Sequence, residues 1–521
     1  MRSPFLAGGP GGVNEKRGVA KAGGRGIIVA METDMSRAEP KLVGVAPPAA
    51  DSSQRVYVWW AVGFAFLAAL GLFCVVILGP YLRARFAMRP VSRHYHSANM
   101  HVTDEQIVEA ISSMGGPEEA VKCLSRYINL PGALATDKEV AYYLLGYCGE
   151  PAAGVLVRSL GKADWHEREW AAEALGTARA GTLAAVTALA TATTDPVKGV
   201  RRWAAYSLGR IGPRAKEAVP ALIDMLGRRD PEEGRAAAYA LGCIGPDAGA
   251  AVPALLQAYR DRNSRIAESA LSALQWIGPA ASPAAPVLID EIDSAQKHGW
   301  LTHCIDEIDT LGSIGPAAKA AVPILRQTLK HEATNVRLAS VRALRDIGPD
   351  ASAAIPEVLE ALRDDDGQVR AYAAGALGCF GKKDPRVRAA LEAALVHQDV
   401  YMRIDAAGAL LRIWPDHGES LATITRALKD PDSNIRDSAA ANLDIGPNAA
   451  AAVPALIEAL KDEDVWVRCR AAGALGSIGP GAKQAVAELE RACSDKFGNV
   501  QEAAAEALRK IRNEGAGDAG K

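Results

Sequence analysis

One phrase, written over and over, decides what this chain can fold into. Leu208 opens "LGRIGPRAKEAVPALIDML", Leu241 opens "LGCIGPDAGAAVPALLQAY" and Leu475 opens "LGSIGPGAKQAVAELERAC". Aligned on that leucine, the copies fall at Leu145, Leu175, Leu208, Leu241, Leu274, Leu311, Leu344, Leu377, Leu410, Leu443, Leu475 and Leu508. All gaps but three are 33 residues; the exceptions that depart most are 30 and 37. A fixed period of this length marks a stacked array of small units. A weaker thirteenth copy begins the series at residues 110–124, "AISSMGGPEEAVKCL".

Each copy reads as two helices. In "DVWVRCRAAGALGSIGP", Asp464 is placed to accept from the orphan N–H groups of a helix start. Ala471, Leu475 and Ile478 follow at i, i+4 and i+7, one apolar stripe at helical spacing. Gly479 can adopt the left-handed conformation that closes the helix, and Pro480 cannot continue it. The other helix of a pair begins at Val453, with Pro454 in its first turn. Four residues before the anchor leucine stand Ala141, Ala171, Ala204, Ala237, Ala270, Glu307, Ser340, Ala373, Ala406, Ala439, Ala471 and Ala504. Eleven are small, which lets neighbouring helices approach; Glu307 breaks the rule. One such pair buries too little apolar surface to fold alone, so each copy exists to be covered by the next.

Seven residues before the anchor an arginine recurs: Arg168, Arg201, Arg337, Arg370, Arg403, Arg436 and Arg468. A cation at a helix N-terminus opposes the macrodipole. The expected resolution is a structural ladder in which these arginines pair with loop acids such as Asp366, Asp399, Asp432 and Asp464.

Ahead of the array lies "VYVWWAVGFAFLAALGLFCVVILGPYL", residues 56–82, with no charge in 27 positions. About 20 apolar residues span a bilayer core, and Tyr57, Trp59, Trp60 and Tyr81 sit at its ends as interfacial anchors do. Arg83, Arg85, Arg89 and Arg93 crowd the C-terminal flank, so the positive-inside rule predicts a single-pass membrane protein with the array in the cytoplasm. The Ala- and Arg-rich usage fits a GC-rich bacterium and its cell membrane. Residues 1–55 are Gly/Pro/Ala-rich and read as a disordered tail; 83–103 form a basic juxtamembrane linker, 104–512 the array and 513–521 a short tail.

Charge narrows the partners. Residues 1–100 hold 12 Lys/Arg against 5 Asp/Glu, which leaves the rest of the chain with 47 against 56 and a net of −9. An acidic body excludes nucleic-acid backbone binding, which needs basic surface. The eight cysteines form no CxxC pair and read as reduced thiols. Trp203, Trp276, Trp414 and Trp466, in or beside the second helices, read as packing or rim residues. No Ser-His-Asp order, phosphate loop or HExxH is present, and no cofactor, metal or small-molecule substrate is expected.

The phrases "DEDVWVRCRAAGALGSIGPGAKQAVAEL" (462–489) and "GPDASAAIPEVLEALRDDDGQVRAYAAGALGCFG" (348–381) resemble HEAT repeats of the phycobilisome-lyase type. The resemblance covers about 104–512. It implies an all-α, right-handed α-solenoid of about twelve to thirteen HEAT-like helix pairs, preceded here by the transmembrane helix. It also implies a scaffold or adaptor that binds a protein along the face lined by the second helices. The alternative class is an enzyme or maturation factor. Bilin lyases and deoxyhypusine hydroxylase carry similar repeats, and the latter holds iron through His-Glu pairs. The pairs present here, His166-Glu167 and His331-Glu332, lie at different offsets from their anchors.

The 37-residue gap is the sequence's site candidate. It contains "SAQKHGWLTHCIDEIDTLGSIG", 294–315, with Cys304 in the arginine slot and Glu307 in the small-residue slot. His303 and Glu307 at i, i+4 are expected to share a helix face. His303, Cys304, Asp306 and Glu307 are the candidate partner-binding residues. The same residues also suit a longer loop leading into an acidic helix start.

Overall fold

The computed structural model describes residues 82–88, 91, 103–228, 230–261 and 266–512. The chain divides after Leu70, and the first unit lies wholly outside the described residues. So do the expected tails 1–55 and 513–521 and, except for Leu82, the apolar segment 56–82. Among the described residues all regular structure is helical: a short stretch at 82–88, then the helices from Asp104–Ser113 to Gly498–Arg512. The helices alternate as first and second members of a pair, and each second helix packs on the second helix of the next pair. The family-like phrase is therefore a solenoid repeat, and the anchors are its core: eleven of the twelve leucines are at most 1% exposed and Leu508 is 7% exposed. Truncating any one to Ala would cost roughly 2–5 kcal/mol.

Local sequence accounts for the element ends. Asp464 accepts from the N–H groups of Trp466 and Val467 at the start of Val465–Ile478. Gly479 ends that helix with φ 68 and ψ −137, a region open essentially to glycine alone, and not with the left-handed helical geometry expected. The chain then does continue past Pro480, as the 3-10 segment Gly479–Ala485, before a short α-helix, Val486–Ala492. Most first members share this two-piece form, and in most of them Pro sits in the first turn of both pieces, where its missing N–H is harmless; Val486–Ala492 has Ala487 instead. One described helical run, Pro231–Arg260, is long and apolar enough to cross a membrane. Gly245, at φ 76, divides it into Pro231–Ile244 and Val252–Arg260, which belong to successive pairs.

Close approach between pairs uses a position the periodic pattern does not single out. The glycine after the anchor leucine lies against the alanine before the next anchor. A Cβ on Gly378 would stand 2.9 Å from the Cα of Ala409, and one on Gly476 the same distance from the Cα of Ala507. The small residues four before the anchor are fully buried. Ser340, one of them, bonds Thr328 of its own first helix at 2.7 Å, so this slot serves packing within the pair.

The arginines pair differently from expectation. Asp366, Asp399, Asp432 and Asp464 are helix caps that accept backbone N–H groups. Each arginine sends Nη1 back to two carbonyls of the loop between its own first and second helices, as Arg436 does to Asp430 and Pro431 at 2.8 and 2.9 Å. The guanidinium thereby satisfies loop carbonyls that no helix or turn partner would otherwise use. Nε and Nη2 reach forward to an acid of the next unit: Arg168 to Asp195, Arg337 to Asp364, Arg436 to Asp462 and Arg468 to Asp495, at 2.7–3.1 Å. Arg201 turns to Glu233. Arg370 and Arg403 keep only the carbonyl contacts; 27 residues beyond Arg370 stands His397.

Candidate partner-binding face

In the irregular unit the extra residues lengthen the first helix to Ala285–His298, and Gly299 closes it in the left-handed conformation at φ 79. A 3-10 turn, Leu301–His303, follows, and the second helix is cut to Ile305–Ile314. His303 therefore precedes the helix, and the i, i+4 pairing with Glu307 does not form. His303 and Asp306 are exposed, while Cys304 and Glu307 are buried. The four candidates do not converge. Among the described residues no three His, Cys, Asp or Glu side chains are grouped to hold a metal. Glu307 instead accepts from Tyr259 Oη at 2.7 Å, and its second oxygen is buried without a partner. Burial pushes its carboxyl above the ordinary range. The His-Glu pairs diverge likewise. Glu167 is held by Lys138, Lys162 and Tyr142, whereas His166 stacks on Trp165 at 3.6 Å. His331 accepts from the N–H of Ala333.

The features that could contact a partner lie on the second helices. Trp203, Tyr206, Tyr239 and Trp276 form a chain of rings, with centroids 6.1, 5.7 and 6.0 Å apart, across Lys198–Ile211, Pro231–Ile244 and Ala267–Ile277. Trp276 is 51% exposed and Tyr239 37%. Rings at such spacings add favourable edge contacts and leave amphipathic surface facing outward. Trp203 and Trp276 read in the sequence as packing or rim residues; Tyr206 and Tyr239 carry a signal too, since both stand two before their anchors.

At that same offset later pairs have Gly375, Gly408 and Ala441. A groove of about 740 Å³ runs there across four successive second helices, lined among others by Arg345, Tyr372, Tyr401, Asp405 and Asn442; it is open beside Gly375, while Asn442 reaches over Gly408. Arg345 lies over the Tyr372 ring at 4.8 Å and bonds Asp346 at 2.9 Å. Asp405 is half-buried and accepts from Asn442 Nδ2 at 3.0 Å. Burial pushes its carboxyl up to about 6, and Asp399 pushes the same way.

The family model described as HEAT repeats matches residues 153–242, 219–298, 308–366, 355–444 and 453–519. No curated protein matches the chain. Among solved structures, yeast importin-beta (Kap95p) is similar at 14% identity and TM-score 0.53, over 89% of this chain and 74% of that one. The Kap95:Nup1 complex matches at 13% identity and TM-score 0.52, over 83% of this chain and 65% of that one. Importin beta crystallised with ammonium sulfate matches at 14% and 0.50, over 83% and 66%. The chain thus spans just under two thirds of the latter two, and identities this low speak for the fold alone. With the model matched over more than half its length and the helix pairs stacked as that model requires, this chain belongs to the HEAT-repeat family.

Proposed function

We propose that the protein is a membrane-tethered scaffold that binds a partner protein along the face of its second helices. The observation that carries this is the ring chain from Trp203 to Trp276, amphipathic surface presented across three units on one face. Contacts spread over successive repeats are how a solenoid gathers affinity, and confinement to a bilayer raises its effective concentration there. The Kap95:Nup1 complex shows a similar fold with a second protein bound. The tether is the apolar segment 56–82, and its basic flank favours a cytoplasmic array.

The test uses the full chain in its native membrane. Crosslinking followed by capture should recover a partner with wild type and with Trp466→Ala, whose ring is 59% exposed but isolated from the chain. Recovery should fall with Tyr239→Ala/Trp276→Ala. Equal recovery from all three rejects the face. Deleting 56–82 should release the protein from the membrane fraction, and continued sedimentation with membranes rejects the tether. A membrane-impermeant maleimide should label Cys469 only after permeabilisation; labelling of intact cells rejects the orientation.

A further inference from the structure

We propose that the groove across Gly367–Phe380, Val400–Ile413 and Ser433–Asn442 receives an arginine or lysine side chain from an extended segment of the partner protein. This rests on the reading of the second-helix face as the partner's seat.

Three observations favour a cation. First, the space is open beside Gly375, where a Cβ would meet nothing closer than Arg345 Cδ at 3.7 Å, whereas Tyr206 and Tyr239 fill the same offset in earlier pairs. Second, the acid lining it lacks a counter-ion. Among the described residues Asp405 has one partner, the neutral amide of Asn442. Of the two cations in the lining, Arg345 is already engaged by Asp346 and Tyr372. Third, Tyr401 stands one turn before Asp405 on the same helix and is 40% exposed, so an entering ammonium or guanidinium meets a ring face beside the carboxylate. An anionic side chain would face Asp366, Asp399 and Asp405 together. An apolar one would desolvate Asp405 without pairing it. Arg412, exposed at the C-terminal end of its helix, lies at the far end of the lining. The net of −9 outside the first 100 residues suits a basic partner.

Cys379 lines the groove and reports on its occupancy. The full chain is treated with N-ethylmaleimide in the presence of acetyl-Gly-Gly-Arg-Gly-Gly-amide or its Lys, Gln and Glu counterparts. Alkylation of Cys379 is compared by mass spectrometry with that of Cys469 and Cys493. The Arg and Lys peptides should slow modification of Cys379 alone, and the Gln and Glu peptides should not. Asp405→Asn keeps the shape and should weaken protection at least about tenfold, or 1.4 kcal/mol. Wild-type protection should fall as pH drops through about 6, where Asp405 takes up its proton. Gly375→Leu should protect Cys379 without any peptide; its Cβ meets nothing closer than Arg345 Cδ at 3.7 Å, so the fold tolerates it. Equal protection by the Gln peptide, protection by none, or full protection of Asp405→Asn overturns the assignment. If Asp405→Asn loses peptide protection and Gly375→Leu blocks Cys379, yet both still capture the partner, the groove does not seat the partner, and the reading of the ring face stands. If wild type captures no partner while peptides still protect, that reading is what fails.

Discussion

Two glycines three residues apart in one helix separate the two roles glycine plays in this array. A Cβ on Gly473 meets nothing within 4 Å, whereas one on Gly476 stands 2.9 Å from the Cα and 3.1 Å from the Cβ of Ala507 on the next second helix. Replacing either with Ala in the helix Val465–Ile478 gains about 1 kcal/mol of helix propensity. For Gly473→Ala that gain stands alone. For Gly476→Ala the methyl meets backbone, which cannot rotate aside, and overpacking of this kind costs about 1–3 kcal/mol. The net is destabilisation of roughly 1 kcal/mol, so the two variants should differ by about 2 kcal/mol. A solenoid unfolds in parts, and a single global midpoint would blur the difference. Hydrogen exchange of the amides in Val465–Ile478 and Gly498–Arg512 reads it locally. Exchange should slow in Gly473→Ala and quicken in Gly476→Ala, by about tenfold for each 1.4 kcal/mol. Equal rates in the two variants would refute the claim that backbone contact, and not the anchor leucine alone, sets the spacing of the pairs.

Glu307→Gln should stabilise the irregular unit at pH 7 by about 1–3 kcal/mol, because a buried oxygen without a partner no longer carries charge. The wild-type carboxyl is raised by burial above its ordinary 4.5, so folding takes up a proton. Its stability is greatest below pH 4.5 and falls as pH rises through the folded value; the variants should converge in acid, and a gap that widens there contradicts the account. Asp462→Ala removes the closest carboxylate of the Arg436 guanidinium, 7% exposed, which keeps Glu463 at 3.3 Å and its two carbonyls, and should cost about 1–3 kcal/mol in chemical unfolding monitored on the flanking pairs. His397→Ala, at the equivalent offset from Arg370, should cost less than about 1 kcal/mol, and equal losses would show that the forward ion pair contributes nothing.

The repeat unit was legible because its signals are local. Asp464 caps the helix it precedes, Leu475 and Ile478 lie one turn apart, and Gly479 sits where only glycine fits, all within one unit. Relations between units were not legible in the same way. Arg436 lies four residues after Asp432 in sequence, yet it finds Asp462 26 residues on, because the side chain crosses to the next pair. His303 and Glu307 looked like one helix face until the 3-10 turn Leu301–His303 began the helix two residues later. The groove is the clearest instance. Gly375 is unremarkable by itself, and the space beside it becomes a groove only when the helices that carry Arg345, Tyr372, Asp405 and Asn442 stand side by side. Sequence alone thus determined that this chain is a series of helix pairs, since periodicity and capping act over a few residues. Tertiary structure decided which charges meet, which glycines touch backbone and where the array opens, since those depend on contacts between residues some thirty positions apart.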